Sequence, residues 1–598
     1  MEKVGKSRGF LRPFPVFILF SLLIFGIFQY GIHKIFGMVY YPDEFGYWAS
    51  AANWIGYDWS GLTALNSYYS FGYGLLLAPI LKVCGNAVTA YRAAVALNML
   101  LHAAAIPMLY GILGRLFPSE SEMSRTCAVG IALFYPVWDF YEQTTLAEGL
   151  LFFLYIAIGY LTARMVSGAR LWTVLLLMGA SVYLCLVHMR TVGAAAAVVF
   201  ILLLRLWKEP AYRRKMLAAV LFLTVGAALG AVLRLTVLQS VYGNTDGELL
   251  AANDITGQFA RVLAVCTREG LLRFFCGCIG KLFYLGAASF GLIYYALAHL
   301  WGKSVCLVRK IRNRSRIATE EWLSLFLLLS FVGQFLITAV YMNHPRRVDE
   351  VVYGRYNDYL VPVFMGIGVM ILYSCRSFGR HISAVIALQS AMLPVVLYGE
   401  KLYGGSEIQG YFTAGIAYLV NEDRFDPVSD MARIFLLGNL MILLFSLCIW
   451  MGREKRASVS AMALVICAEI VLGIGLHHKY TYRFNELTGV EVKLAERIEE
   501  GDCNTPITYL YGGETTYIDV IQFQLPERTI TVVPEEEVER IAVLDGCPVL
   551  ERKNGEVTEM SGYVLLDDES VYREQMERCR RPCAESSYFA LYDWRESL

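Results

Sequence analysis

Charged side chains are scarce in this sequence. They make up 17% of its 598 residues, whereas soluble globular proteins carry about 25%. The formal net charge is zero, so nothing suggests a nucleic-acid partner. A phosphate-cradling glycine-rich loop is absent, which argues against an ATP-driven pump. There is no Cys-x-x-Cys or His-x-x-x-His spacing of the kind that binds metals, no repeat at a fixed period and no low-complexity run.

Apolar residues, in contrast, make up 57% of the chain. They form blocks of about 20 residues, the length that a helix needs to cross the hydrocarbon core of a bilayer. The first block follows several basic residues, but it is too long for a signal peptide and no cleavage site follows it. The sequence therefore predicts a polytopic α-helical membrane protein with about 13 transmembrane helices, at residues 14–36, 90–116, 125–141, 145–165, 171–188, 191–207, 216–238, 280–300, 320–341, 356–374, 382–398, 431–450 and 457–476.

One further apolar stretch, 71–83, is too short to span easily and contains Pro79, so it is predicted to be re-entrant or interfacial. The positive-inside rule predicts a multi-pass plasma-membrane protein with a cytoplasmic N-terminus. This orientation puts the densest Lys/Arg clusters inside, at 205–215, 303–316 and 453–456. It leaves the long loops outside, at 37–89 (the first extracytoplasmic loop), 239–279 and 399–430.

After the transmembrane domain, residues 1–478, the pattern changes to that of a small soluble α/β domain at 479–598, predicted to be extracytoplasmic. An amphipathic helix is predicted over 486–500. Short strands are predicted at 507–511, 540–544, 563–566 and 588–592. Cys503, Cys547, Cys579 and Cys583 favour two disulfides in an oxidising compartment, with free thiols as the alternative; a zinc site lacks a second cysteine pair at ligand spacing.

Two adjacent carboxylates, Asp43 and Glu44, stand just beyond the first span, among aromatic residues. A carboxylate there suits a general base or a ligand of a divalent cation. The alternative is an ordinary helix start, with Pro42 at the first position and acids in the first turn.

The next outer turn contains Asp139, Glu142 and Glu148. Asp139 and Glu142 are three residues apart and would share one side of a helix. Water-facing loop acids are the alternative, which suits Asp139 best. Glu148 lies just inside an apolar helix, where a charge is costly and therefore suggests function.

Arginines occur on the same face, against the inside bias: Arg92 at the second span, Arg190 at a tight turn and Arg355 at the start of a late span. Guanidinium groups suit phosphate oxygens, and the interface suits a lipid-linked phosphate. Interfacial snorkelling is the alternative reading for basic residues at this depth.

Taken in order, these motifs resemble the GT-C class of membrane glycosyltransferases, near its protein O-mannosyltransferase and aminoarabinose-transferase branch. The resemblance covers roughly 14–375. It rests on five short motifs: Asp43-Glu44 followed by Tyr47-Trp48-Ala49, Ala90-Tyr91-Arg92 with Asn98, Leu146-Ala147-Glu148, the lone Arg190, and Arg355-Tyr356 followed by Leu360-Val361-Pro362.

The resemblance implies a GT-C fold and transfer of a sugar from a polyprenyl phosphate, held within the lipid, to a hydroxyl of a glycan, lipid or protein acceptor outside. It implies Asp43 as catalytic base with Glu44 beside it, and Glu142 or Glu148 as the acid that positions the acceptor or base. Arg92, Arg190, Arg355 and Tyr356 are expected around the donor phosphate. Members often carry a Pro-rich, Lys-containing stretch before the second span; residues 68–74 have neither Pro nor Lys.

Three other functions fit a polytopic protein. A transporter or flippase of lipid-linked saccharides predicts acids at mid-membrane and two related halves, whereas these acids cluster at the outer face. A polysaccharide polymerase or ligase would carry a very large Arg-rich outer loop, and 239–279 is modest. A non-catalytic assembly protein is the remaining alternative, and it gives the acids no chemical role.

Overall fold

A computed structural model describes residues 13–595 apart from 41, 169, 209–212, 254, 345–346, 405–407, 421–425, 454–457 and 545–546. In this part of the chain, the residues before 477 form helices joined by short turns. These helices are α1 (Phe14–Gly31), α2 (Asp43–Ile55), α3 (Ser60–Thr63), α4 (Gly74–Val83), α5 (Ala87–Leu116), α6 (Glu122–Leu133), α7 (Pro136–Glu142), α8 (Ala147–Val166), α9 (Leu171–Val187), α10 (Val192–Lys208), α11 (Arg213–Ser240), α12 (Gly247–Asn253), α13 (Ile255–Val265), α14 (Arg268–Ala288), α15 (Leu292–Arg312), α16 (Thr319–Tyr341), α17 (Arg355–Asp358), α18 (Val361–Ser374), α19 (Phe378–Tyr403), α20 (Pro427–Met451) and α21 (Ser458–Leu476).

Ten helical segments in the described part are long and apolar enough to cross a membrane, and three shorter apolar helices, α4, α9 and α18, accompany them. Leucine and valine side chains of α11 are exposed along its length, as at Leu221, Val225 and Leu229, which is the surface that lipid requires. The polytopic helical class is therefore confirmed, while the number of crossings stays a prediction. Helix α4 has 10 residues and rises only about 15 Å, too little to span, as the sequence predicted.

Three predicted spans are interrupted. The span at 125–141 divides into α6 and α7 because Pro136 lacks the N–H that would continue the helix. The span at 356–374 consists of α17 and α18. The span at 280–300 breaks between α14 and α15, where Phe290 and Gly291 have φ of 52° and 79°. The predicted outer loop 239–279 is largely helical, since it contains α12, α13 and the first half of α14.

Helices α14 and α15 together run beside α16 along its length. At one end the Asn343 amide donates to the Gly270 carbonyl at 3.1 Å. At the other end Lys303 pairs with Glu320 at 2.9 Å and Lys310 with Glu321 at 2.7 Å. Both helices therefore pack against α16, and whether they make one crossing, as the predicted span at 280–300 requires, stays a prediction.

Helices α10 and α16 meet backbone to backbone. A Cβ atom at Gly193 would lie 2.6 Å from the Gln334 nitrogen, so only glycine allows this approach. The Gln334 side chain in turn donates to the Tyr356 carbonyl at 3.0 Å. This packing places the turn that carries Arg190 beside the segment that carries Arg355.

Helix α21 continues without a linker through a π-helical turn, His477–Thr481, into the C-terminal domain, whose helices are α22 (Tyr482–Leu487), α23 (Gly489–Glu499), α24 (Thr516–Gln524) and α25 (Arg573–Cys579). Its strands are β1 (Ile507–Tyr511), β2 (Ile530–Pro534), β3 (Val538–Leu544), β4 (Cys547–Arg552), β5 (Val557–Glu559), β6 (Gly562–Asp567), β7 (Ala584–Glu585) and β8 (Phe589–Trp594).

The strands form a five-stranded sheet of order β2-β1-β6-β8-β7 and a three-stranded antiparallel sheet of order β3-β4-β5. In the larger sheet β2, β1 and β6 are parallel. The predicted amphipathic helix and all four predicted strands are present, as α23, β1, β3, β6 and β8. Cys503, Cys579 and Cys583 are free thiols, so the favoured disulfides are not formed by these three; the side chain of Cys547 lies outside the described part of the chain.

The C-terminal domain docks on the first outer loop through α24. The Phe523 ring lies 4.9 Å from the Trp48 ring. The Trp59 indole donates to the Pro526 carbonyl at 2.9 Å. The Asn66 amide donates to the buried Asp519 carboxyl at 3.2 Å. One hydrophobic core therefore runs from the membrane helices into this domain.

This docking contact gives a pH-dependent prediction. Burial raises the pKa of Asp519 well above its usual range. The folded protein thus holds a proton there that the unfolded chain releases above about pH 4, and stability falls as pH rises through that window. Asp519→Asn keeps an acceptor for Asn66 but removes the charge. We expect its thermal midpoint to exceed that of the wild type at pH 7 and to match it near pH 4.

The control is Asp502→Asn, at an exposed position of the same domain, for which we expect no difference at either pH. Equal midpoints for Asp519→Asn and wild type at pH 7 would show that the carboxyl is ionised at no cost.

Candidate active site

Glu44 lies in the first turn of α2 and folds back over the residues that precede the helix. Its Oε1 accepts from the backbone N–H groups of Val39 and Tyr40 at 3.0 and 2.9 Å. Its Oε2 accepts from the Tyr91 hydroxyl at 2.6 Å and from the backbone N–H and hydroxyl of Thr145. These five hydrogen bonds saturate a carboxylate. Glu44 thereby ties the start of α2 to α5 and to the turn before α8.

This arrangement predicts the effect of removing one donor. Tyr91→Phe leaves the packing intact but deletes the hydroxyl on a fully buried carboxylate. A hydrogen bond to a charged group contributes about 1.5–3 kcal/mol, and we expect a loss of that size in the free energy of unfolding in detergent. Tyr398→Phe, at a half-exposed tyrosine, is the matched control and should change stability by less than about 0.5 kcal/mol. An unchanged free energy of unfolding for Tyr91→Phe would mean that the Glu44 carboxylate does not depend on this donor.

Asp43 points in a different direction, toward Arg355. The Nη1 of Arg355 lies 2.5 Å from Oδ2 of Asp43. The other side of the same guanidinium binds Glu148, with Nε 2.6 Å from Oε1 and Nη2 3.2 Å from Oε2. Glu148 also pairs with Nη2 of Arg190. Four residues from four separate segments therefore form one charge network, which we call the Asp43 network (Asp43, Glu148, Arg190 and Arg355).

The network is nearly buried, and its two carboxylates balance its two guanidinium groups. Glu148 is 0% exposed and each arginine 3%, whereas the Asp43 side chain is 24% exposed. Buried charges persist only when they are paired in this way. Asp43 is thus the member that an incoming molecule reaches first.

Aromatic side chains enclose the network. The Tyr356 ring lies against Arg190 at 3.7 Å, and the Phe412 ring lies 5.5 Å from the Arg355 guanidinium. Tyr69 faces Asp43 and packs so tightly on α2 that a Cβ at Gly46 would lie 2.4 Å from its ring. Cation–π contacts of this kind stabilise a partly desolvated arginine.

Two polar atoms beside the network have no hydrogen-bond partner within the described residues: the buried Tyr47 hydroxyl and Nε of Arg190. The His188 ring occupies another atom of Arg190, with Nε2 3.0 Å from Nη1. An unpaired buried polar group costs about 1–3 kcal/mol, so such groups are typical of a site that receives a polar ligand.

Besides Glu44, two predicted site residues lie outside the Asp43 network. Glu142 pairs with the His102 ring, which stacks on Trp138 at 3.9 Å. Arg92 donates to the carbonyls of Ile35 and His33 at 2.9 and 3.4 Å, so it supports the segment after α1. Neither has a contact with the Asp43 network.

Tyr47 stood in the motif that follows Asp43, but sequence reasoning did not identify Tyr69, His188 and Phe412 as neighbours of the site. His188 is two residues from Arg190, and this proximity was the only signal available. Phe412 carries no such signal, because it is far from every motif and enters through packing.

The described residues offer a poor fit for a metal at Asp43 and Glu44. The oxygens of Glu44 are taken by five donors, and Asp43 faces a guanidinium. Within the described residues there is no group of three His, Cys, Asp or Glu side chains that could hold a metal ion.

Comparison with known proteins shows similarity in structure but not in sequence. No family model and no curated protein matches the sequence. ArnT from Cupriavidus metallidurans bound to undecaprenyl phosphate is similar in structure, with a TM-score of 0.50 and 14% identity over 97% of this chain and 98% of that chain. Its apo structure gives a TM-score of 0.46 at 12% identity, over 96% and 97% of the two chains.

The arabinosyltransferase EmbB from Mycobacterium smegmatis gives a TM-score of 0.41 at 15% identity over 76% of this chain and 41% of that one. ArnT and EmbB are GT-C glycosyltransferases. The match to ArnT over nearly the full length of both chains shows that this chain has the GT-C fold that its motifs predicted.

Proposed function

We propose that this protein transfers a sugar from a polyprenyl phosphate to an acceptor hydroxyl at the outer face of the membrane, with Asp43 as the general base. The observation that carries the proposal is the Asp43 network, in which the one reachable carboxylate pairs with the buried Arg355, and Glu148 links Arg355 to a second buried guanidinium, that of Arg190. The likeness to ArnT, whose structure contains undecaprenyl phosphate, supports a lipid-phosphate donor.

The reaction is a single displacement at the anomeric carbon. The acceptor oxygen forms a bond to that carbon, and the bond from the carbon to the donor phosphate oxygen breaks. The acceptor proton passes to Asp43, and polyprenyl phosphate leaves with the bonding electrons. A positioned base contributes about 10²–10⁴-fold to such a step, and cations that hold the developing phosphate charge contribute further. The sugar is expected to invert its configuration.

Arg355 connects the base, Asp43, with the binding of the donor phosphate. In the structure it holds Asp43 through Nη1 and Glu148 through Nε and Nη2. A donor phosphate beside it competes with Asp43 for Nη1, while Glu148 keeps the guanidinium plane in place. Asp43 is then released from its ion pair with Arg355 and is free to receive the acceptor proton. Donor binding would thus activate the base.

The residues around the network have supporting roles in this proposal. Arg190, whose Nε is unpaired among the described residues, shares the phosphate charge with Arg355. The Tyr47 hydroxyl donates to the sugar or the phosphate. Glu44 positions α2 and does not touch the reactants. The aromatic rings exclude water and offer faces for a sugar to stack on.

The proposal is tested by incubating the purified full-length protein with a panel of polyprenyl-phosphate pentoses and hexoses. We expect one donor to be consumed and free polyprenyl phosphate to be released. Both changes are measured by mass spectrometry. Because Glu44 is occupied by protein donors, we expect activity to survive chelation with EDTA. No turnover of any donor by folded protein, in the presence of a lipid or glycan hydroxyl acceptor, contradicts the proposal.

The same assay separates the alternatives. In reconstituted vesicles, a flippase moves the donor to the other leaflet with its sugar still attached. A polymerase or ligase yields a glycan that grows or is transferred as a whole. The predicted orientation places the site and the C-terminal domain outside, and a reporter fused to the C-terminus checks that placement.

A further inference from the structure

A cavity of about 990 Å³ lies at the end of the bundle far from the Asp43 network. Its walls come from the ends of α8, α10 and α15 and from the start of α16. Helix α10 begins two residues after Arg190 and ends at Lys208, a rise of about 25 Å over its 17 residues. This cavity, the basic cleft, therefore opens at the opposite membrane face.

Five cationic side chains line the basic cleft: Arg205, Lys208, Lys310, Arg314 and Arg316. Glu321 neutralises Lys310 at 2.7 Å, and the neighbouring Glu320 is occupied by Lys303 at 2.9 Å. Arg314 and Arg316 have no carboxylate at ion-pair distance among the residues that the structure describes. Arg314 and Arg316 thus bring positive charge to the cleft that no described carboxylate neutralises.

The interior of the cleft also presents a buried donor. Trp322, in the first turns of α16, lines the cavity and is 1% exposed. Its indole N–H has no acceptor within the described part of the chain. Nearby, the buried Arg205 uses one nitrogen to bind the Met165 carbonyl. A buried N–H without an acceptor is costly, so an oxygen acceptor that reached this N–H from the cavity would remove that cost.

The rim places the cleft at the level of lipid headgroups. Trp207 lines it and is 68% exposed, with the Lys208 ammonium 4.2 Å from its ring. Exposed tryptophan beside lysine is typical of the membrane–water interface. Basic pockets between helices at such a depth suit the phosphate of an anionic lipid.

We propose that the basic cleft binds a phosphate group, presented by an anionic phospholipid, with Arg314 and Arg316 holding its charge and the Trp322 N–H donating to a phosphate oxygen. Aqueous inorganic phosphate has the same chemistry, and the experiment separates the two sources. The proposal concerns a site distinct from the one that transfers sugar and does not depend on it.

The test uses full-length protein in a neutral detergent, titrated with phosphatidylglycerol, phosphatidylcholine or inorganic phosphate and followed by native mass spectrometry. We expect one phosphatidylglycerol to be retained in preference to phosphatidylcholine. The double variant Arg314→Gln/Arg316→Gln should weaken its binding about 30-fold, for two cations near a lipid surface. The double variant Arg309→Gln/Arg312→Gln removes the same charge from exposed positions outside the cleft and should bind as the wild type does.

Trp322→Phe removes the N–H together with one ring of the buried indole; we expect binding about 5–10-fold weaker, as for one lost hydrogen bond, and a lower thermal midpoint from the lost packing. Equal weakening by the two double variants would reduce the effect to bulk surface charge and overturn the proposal. Absence of phosphatidylglycerol binding would also overturn it. Binding of inorganic phosphate with equal affinity would overturn the lipid as the source.

Discussion

Asp43→Asn is expected to leave the protein folded and to lower sugar transfer by about 10²–10⁴-fold, the range for a lost general base. Asparagine occupies the same space and still accepts a hydrogen bond from Arg355, but it cannot take the acceptor proton. The measurement is the rate of polyprenyl phosphate release from the active donor, with the thermal midpoint as a check on folding. Substrate binding should survive, so the loss should appear in kcat more than in KM.

Asp58→Asn is the matched control. Asp58 lies in the same outer loop and is exposed, and its carboxylate caps the backbone of Ser60. We expect wild-type rates from it. Full activity of Asp43→Asn in the folded protein would remove Asp43 from the role of base, and transfer would then need a different proton acceptor.

Glu148→Gln should have the largest effect on stability. The carboxylate is 0% exposed and binds both Arg190 and Arg355. Its neutralisation leaves two buried guanidinium groups with only Asp43 to balance them. Removal of one partner from a buried ion pair costs about 3–5 kcal/mol, and we expect a loss of that size from the free energy of unfolding in detergent, with no measurable transfer.

Glu269→Gln is the control for charge alone, because the Glu269 side chain is 70% exposed and pairs with Arg273 one helical turn away. An exposed pair contributes at most about 1 kcal/mol. Glu148→Asp keeps the charge but shortens the side chain; it should fold and lose activity through misplacement of Arg355. Wild-type stability and activity of Glu148→Gln would show that the Asp43 network is not a unit.

The chemistry of the proposed site depends on the difference between two neighbouring carboxylates. Successive residues on a helix point about 100° apart, so Asp43 and Glu44 enter separate surroundings. Glu44 meets five donors and becomes a fixed part of the framework. Asp43 meets one guanidinium and keeps some exposure to solvent. Because Asp43 and Glu44 are adjacent in the sequence, they suggested a pair of carboxylates that act together. In the folded protein each has different neighbours and a different role.

The C-terminal domain also contributes to the structure around Asp43 and Glu44. Phe523 of α24 packs on Trp48 and on Tyr91, whose rings lie 4.9 and 6.1 Å away. Tyr91 is a donor to Glu44, and Asn66, bound to Asp519, stands three residues before Tyr69. The domain thus supports the loop on which Asp43 depends, and its docking is part of the architecture of the site.

Local properties of the sequence determined the helices, the strands of the C-terminal domain and the presence of acids and arginines at helix ends. Apolar length and side-chain periodicity act over one element, so they can be read without coordinates. Breaks inside spans were missed where a positive φ at Phe290 or a proline at the first turn interrupts an otherwise apolar run.

Only the tertiary structure decided which of these groups meet. Arg355 reaches Glu148 across 207 positions of the chain, while Glu142, only six residues from Glu148, turns to His102. No local pattern specifies such a choice, because it depends on how α8, α10 and α16 pack and on glycines such as Gly193 that let their backbones approach. The sequence determined the chemical groups, and helix packing determined their partners.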